Sequence, residues 1–147
     1  MFELDPVLKR DSVLVGCFPL CQLRLMNDAQ FPWFILIPQR NRITEIYQLV
    51  EEDRQRLMAE SCLLSEVLHD AFSATKLNVA ALGNQVPQLH LHHIVRYSTD
   101  LCWPGPMWGK LPAVEYTEEN LAKTLHEVRS LLNDDLVSLG DGADLYY

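Results

Sequence analysis

Apolar and polar positions along the chain fall into short blocks whose period changes from strand-like to helical and back. Ser12–Phe18 and Cys21–Met26 are apolar runs split by Pro19, which predicts two consecutive strands and a turn at Asn27-Asp28-Ala29-Gln30. Pro32-Trp33-Phe34-Ile35-Leu36-Ile37-Pro38 is apolar without alternation, the pattern of a central strand covered on both faces. From Glu45 to Ser73, behind Thr44 as a cap, apolar residues recur at helical spacing: Ile46, Leu49, Val50, Leu57, Leu64, Val67, Leu68, Ala71 and Phe72. Glu51-Glu52-Asp53-Arg54 interrupts that region and marks the start of a second, longer helix, its acids at the favourable N-terminal end. Lys76–Leu82 and Leu89–Tyr97 read as strands around a Gly83–Pro87 turn. Asp5-Pro6 opens a short helix to Asp11, and Thr117 caps a C-terminal helix with Leu121, Leu125, Val128, Leu131 and Leu132 on one stripe. Cys102–Gly109 holds two prolines and two glycines in eight residues and cannot be regular. Strands, a long helix, more strands and a last helix predict an α+β fold on an antiparallel sheet. The tail from Gly140 reads as loose, its terminal tyrosines candidates for packing on a partner.

At 147 residues the chain is one domain, long enough to bury its own core. Its 12 basic and 20 acidic residues give a net charge of −8, which argues against a nucleic-acid polymer as partner. A small anion needs only a few local donors and stays open. The N-terminal residues carry no signal-peptide pattern, and the longest apolar run is too short to span a bilayer. Cys17, Cys21, Cys62 and Cys102 are expected to be reduced and mostly buried, which fits a cytoplasmic protein away from membranes.

The chemistry concentrates in Gln88-Leu89-His90-Leu91-His92-His93-Ile94-Val95-Arg96. Strand alternation puts Gln88, His90 and His92 on one face and Leu89, Leu91 and His93 on the other. Three readings are open at this point. The row is a polar face with histidines by chance; or His90 and His92 share a zinc ion with a ligand from elsewhere; or the imidazoles act on a phosphate. In the third, a neutral imidazole attacks phosphorus while a second, kept protonated, stabilises phosphoryl oxygens. The preceding Gly83-Asn84-Gln85 turn supplies backbone N–H groups and side-chain amides for such an anion.

With Asn78 and the Gly83-Asn84 turn before it, Gln88-Leu89-His90-Leu91-His92-His93-Ile94 resembles the histidine triad (HIT) family, whose signature is His-φ-His-φ-His-φ-φ with φ apolar. Trp103–Gly109 is similar to a segment of a bacterial subgroup of HIT-like hydrolases, and the resemblance runs from about Val13 to Gly109, with a helical extension at about 117–138. It implies a single HIT-like domain acting as a nucleotide phosphohydrolase or nucleotidyl transferase at the α-phosphate. The substrates it implies are nucleotidyl phosphoramidates or dinucleoside polyphosphates, and the assembly a homodimer. By the same resemblance His90 is the nucleophile that becomes nucleotidylated, and His92 contacts the phosphate and assists the leaving group. Asn78, Gly83 and Asn84 match the family's phosphate and leaving-group contacts, while Asn27 and Asp28 are candidates for the ribose hydroxyls. No metal ligand is implied from the protein, and any divalent cation would arrive with a polyphosphate substrate. Gln88 departs from the signature: it keeps the backbone carbonyl that fixes the nucleophile's tautomer but cannot titrate. A catalytically weak nucleotide-binding module is therefore the alternative. His93 is expected to be a buried residue bonded to backbone or to a helix. Arg40, Arg42 and Arg96 are expected to be solvated, His69 and His126 to lie on helix surfaces, and Trp103 and Trp108 to pack in a core or interface.

Overall fold

The computed structural model describes residues 1–138; the tail tyrosines lie outside the described residues. In chain order the elements are α1 (Pro6–Asp11), β1 (Ser12–Cys17), β2 (Cys21–Met26), β3 (Trp33–Pro38), a 3-10 turn (Ile46–Gln48), α2 (Glu51–Phe72), β4 (Lys76–Ala80), β5 (Leu91–Arg96) and α3 (Glu118–Leu131). The fold is α+β, as the blocks predict: a five-stranded sheet in the order β1-β2-β3-β5-β4, antiparallel throughout. β3 is the central strand, and its last five residues are buried.

The helix expected from Glu45 starts later. Thr44 and Glu45 belong to a tight turn in which the Gln48 carboxamide oxygen accepts from both backbone N–H groups. The helix proper begins at the acidic cluster, where Glu51, Glu52 and Asp53 occupy the first turn and meet the positive end of the helix dipole. It ends at Ser73, in the left-handed region at φ 51°.

Each face of the sheet has its own cover. Leu23, Leu25, Phe34, Leu36, Leu91 and Val95 pack against Leu57, Leu64 and Leu68 of α2 and Leu125 and Val128 of α3 in one apolar core. His93 lies on this side, fully buried. Its Nδ1–H donates to the Leu91 carbonyl at 3.0 Å, and its Nε2 accepts from the Ser61 hydroxyl of α2 at 2.7 Å. It thus ties β5 to the long helix. On the opposite face, Ile35 and Ile37 meet Leu8 of α1 with Phe2 and Leu4, and Phe31, Ile94 and Met107 form a third cluster with Trp33 and Trp108. His90 and His92 stand on this second face.

Two expectations about side chains change, for Arg96 and for the cysteines. Arg96 is buried, 1% exposed, because Asp100 takes it in a two-pronged ion pair at 2.8 and 3.0 Å and Asn78 Oδ1 accepts a third bond at 2.8 Å. Phe31 and Trp103 lie over the guanidinium at 5.8 and 5.9 Å. Arg40 and Arg42 are exposed as expected, Arg40 also pairing with the buried Asp53 at 2.7 Å. Of the four free thiols, only Cys21 is buried, and Cys62 is exposed on α2.

Candidate active site

β5 begins at Leu91, so His90 stands just before the ladder and His92 one residue inside it. Both side chains project to the second face, and their rings meet edge-on with centroids 4.7 Å apart. Gly83 sets the turn beside them. A Cβ there would lie 2.8 Å from the Val86 carbonyl oxygen and 3.8 Å from the His90 ring, so only glycine lets the chain pass this close.

The two imidazoles differ in what their nitrogens touch. The Nδ1–H of His90 donates to the Gln88 carbonyl at 2.7 Å. A carbonyl only accepts, so the proton sits on Nδ1 and Nε2 carries a lone pair, with no hydrogen-bond partner among the described residues. Burial pushes His90 below the usual imidazole range, against the pull of the Gln88 carbonyl and Asp5, so the ring is neutral at pH 7.

His92 has no such vacancy. The indole Nε1–H of Trp33 points at its Nδ1 at 3.0 Å, and its Nε2 lies 3.0 Å from the Leu82 carbonyl. An indole N–H can only donate, so Nδ1 accepts and the proton is on Nε2. Burial, aided by the neighbouring His90 and His93, pushes its pKa down to about 4, although the Leu82 carbonyl pulls the other way. The second imidazole is therefore held neutral, not protonated as the bare motif suggests. Trp33 and Trp108 flank it at 5.7 and 5.6 Å, and the Trp108 indole N–H is buried without a partner among the described residues.

Two cavities meet at His90. One, of about 350 Å³, is bounded by Val7, Leu8, Met26, Trp33, Val86 and Trp108, with Asp11, Leu82, Asn84, Gln85, His90, His92 and Gly109. It has the volume and largely apolar lining of a small-molecule site. The other, of about 260 Å³, is polar and bounded by Thr44, Glu45, Ala81, Gly83, Asn84, Pro87, Gln88, Leu89 and His90. Asn84 and His90 border both.

The structure thus brings together His90, His92, Gln88, Gly83 and Asn84. Three other candidates stand apart from these walls. Asn27 Oδ1 accepts from the Tyr116 N–H at 3.0 Å, and Asp28 Oδ1 accepts from the backbone and side chain of Gln30 at 3.1 Å each. Asn78 is engaged by Arg96. Sequence reasoning missed Trp33, Glu45 and the α1 residues Val7, Leu8 and Asp11. Trp33 reaches His92 only through the β3–β5 register, in which Trp33 opposes Ile94 and Ile35 opposes His92. No local pattern announces that pairing.

Among the described residues, no group of three or more His, Cys, Asp or Glu is placed to hold a metal ion, which leaves the shared-zinc reading without a third ligand. No helix among them is long and apolar enough to cross a membrane.

A family model, the HIT domain, matches residues 8–99. The chain belongs to the HIT family. Solved relatives agree along nearly the whole HIT fold. A histidine triad protein from Marinobacter aquaeolei is 51% identical, with a TM-score of 0.89 over 92% of this chain and 98% of that one. One from Sinorhizobium meliloti is 42% identical, with a TM-score of 0.88 over 90% and 98%. A third, from Bradyrhizobium japonicum, is 36% identical, with a TM-score of 0.86 over 88% and 96%. No curated protein matches the chain. HIT membership makes nucleotide-binding hydrolase or transferase chemistry the frame for this site.

Proposed function

We propose that this HIT protein transfers a nucleotidyl group to His90 and then to water or another acceptor. One observation carries the reading: the Gln88 carbonyl holds the Nδ1 proton of His90 and leaves a neutral ring with a lone pair at Nε2, where the two cavities meet. Nε2 attacks the α-phosphorus, and the bond from phosphorus to the leaving group breaks as the P–N bond forms. The leaving group departs with the electron pair and takes up a proton from solvent. Water then attacks phosphorus and releases a proton to solvent, the P–N electrons return to Nε2, and the nucleoside monophosphate is released.

The apolar cavity takes the nucleoside in this reading, between Met26, Trp33, Val86 and Trp108. Asn84 and the backbone at Gly83 face the phosphoryl oxygens. His92 acts as a neutral donor, sharing its Nε2–H between the Leu82 carbonyl and a phosphoryl oxygen. The polar cavity takes the leaving group. Its lining holds the Glu45 carboxylate and neither lysine nor arginine, which disfavours a polyphosphate chain and suits an amine. We therefore place nucleotidyl phosphoramidates ahead of dinucleoside polyphosphates, with no metal ion needed. The working assembly is a homodimer, for which the edge strand β4, with Val79 46% exposed, offers a flank unpaired among the described residues.

The test is a single-turnover reaction with a labelled purine nucleoside phosphoramidate, quenched in denaturant at alkaline pH. A base-stable, acid-labile adduct on His90 is expected, absent in His90→Ala. Turnover that survives His90→Ala intact refutes the mechanism. A second reading, a binding module with weak catalysis, is favoured by the full occupation of both His92 nitrogens. It requires a nucleotide to raise the melting temperature while turnover stays undetectable.

A further inference from the structure

The first position of the histidine motif is usually read through its backbone, yet in this chain the side chain is fully engaged. Gln88 Oε1 accepts from the Asp5 N–H at 2.8 Å, and Gln88 Nε2 donates to the Glu3 carbonyl at 2.9 Å. Asn41 repeats the arrangement two residues earlier: its Oδ1 accepts from the Glu3 N–H at 3.0 Å, and its Nδ2 donates to the Met1 carbonyl at 2.7 Å. Two carboxamides thus pair alternate backbone groups of residues 1–5, as a neighbouring strand would. The arm leads straight into α1. Asp5 caps that helix by accepting from the Val7 N–H at 2.8 Å, and Pro6 fixes its first turn. Phe2 and Leu4 pack with Leu8 against Ile35 and Ile37. Val7, Leu8 and Asp11 then form one wall of the apolar cavity.

We propose that Gln88 is a dual positioning residue: its carbonyl fixes His90, while its carboxamide clasps the N-terminal arm and so sets α1 as a wall of the nucleoside cavity. The clasp rests on the reading of that cavity as the substrate site. A carboxamide carries donor and acceptor on one carbon, directed to the same side, and matches the spacing of the Glu3 carbonyl and Asp5 N–H. An imidazole directs its two nitrogens apart and satisfies one of the pair. Gln88 is then a gain of a contact, not a degenerate histidine.

The experiment compares wild type with Gln88→His, Gln88→Glu and Asn41→Leu, by amide hydrogen exchange and by KM and kcat on a nucleoside phosphoramidate. Gln88→His should speed exchange at the Asp5 amide and raise KM about five- to tenfold, the worth of one to two net hydrogen bonds, with kcat moving less. Gln88→Glu keeps the acceptor for Asp5 and should fall between. Asn41→Leu, outside both cavities, should loosen the same arm and raise KM in the same direction, which keeps the test alive if Gln88 variants fold poorly. Combined with deletion of residues 2–5, Gln88→His should add nothing further to KM. Unchanged exchange at Asp5 in Gln88→His overturns the clasp. Faster exchange with an unmoved KM overturns its link to the cavity, as does a raised kcat at constant KM. If wild type turns nothing over, the catalytic reading fails, while the exchange data and nucleotide affinities of the same variants still decide the clasp.

Discussion

Two buried imidazoles make this fold sensitive to mild acid, by an amount the structure sets. Burial is the chief cause that lowers His92 and His93 to about 4 in the folded chain, while in the unfolded chain each titrates near 6.5. Above pH 6.5 neither state binds these protons and stability is level. Between 6.5 and 4 the unfolded chain takes up protons that the folded chain refuses, so stability falls as pH falls. Below 4 the loss from these two groups is complete. At pH 5 each costs about 2 kcal/mol and the pair about 4, a large share of the roughly 5–15 kcal/mol that holds a domain together. His90, also lowered by burial, adds in the same direction. Asp100 does not confuse the window, because Arg96 holds its carboxyl down to about 2 and the pair stays charged throughout. The assay is urea unfolding followed by circular dichroism at pH 7, 6 and 5, on wild type and His93→Gln. Wild type should lose several kcal/mol between pH 7 and 5. The variant, although weaker at pH 7, should lose roughly half as much. Equal stability at pH 7 and 5 in wild type, within 1 kcal/mol, would refute the reasoning.

Trp33→Phe keeps an aromatic ring but removes the donor that holds His92 Nδ1 as an acceptor, so the His92 pKa should rise by roughly half to one unit. Nitrogen-detected NMR of the imidazoles reads both tautomer and titration, and an unchanged spectrum would show that the indole bond is idle. Arg96→Met leaves Asp100, with 6% of its side chain exposed, as a buried carboxylate without its counter-ion, held among the described residues only by the Tyr97 and Cys102 N–H groups, and should cost about 3 kcal/mol in denaturant unfolding. Adding Asp100→Leu should recover part of that loss, and no recovery would mean that the charge is not the cause. Gly83→Ala forces its Cβ against the Val86 carbonyl and should cut kcat/KM at least about tenfold, with a melting temperature close to wild type. Full activity in that variant would show that the turn can shift without consequence.

Much of the fold was legible because its strands carry their pattern locally. β2 matches its apolar run residue for residue, β3 differs by its first proline, and α1 falls where Asp5-Pro6 places it. The alternation that divides His90 and His92 from His93 also holds, since pleating is a local property. The missed features are relations between segments. Trp33 meets His92 only after β3 pairs with β5, and residues 1–5 meet Gln88 only after the chain has returned across more than 80 positions. Arg96 was misread as solvated because a charged residue at a strand's end usually is. Its partner stands four positions on, in the turn just past the strand's end, and no sequence pattern folds that turn back onto the guanidinium.

Hydrogen-bond accounting supports His90 as the proposed nucleophile without using the motif. His90 and His92 are the same residue type, on the same face, two positions apart, and both are neutral at pH 7. They differ in partners. His92 stands within β5, where a cross-strand indole and a carbonyl of the facing loop take both its nitrogens. His90 precedes the ladder and borrows the carbonyl of Gln88, one pleat back, for one nitrogen. A nucleophile needs an unshared electron pair and room for phosphorus to approach it. Of the two, only His90 combines the open nitrogen with a border on both cavities, so in the proposed reaction a substrate spanning them would bring its reacting atom to that ring. In the proposed reaction, the start of the strand one residue after His90 separates the imidazole that would attack from the one whose nitrogens are already held and which would serve as a fixed neutral donor.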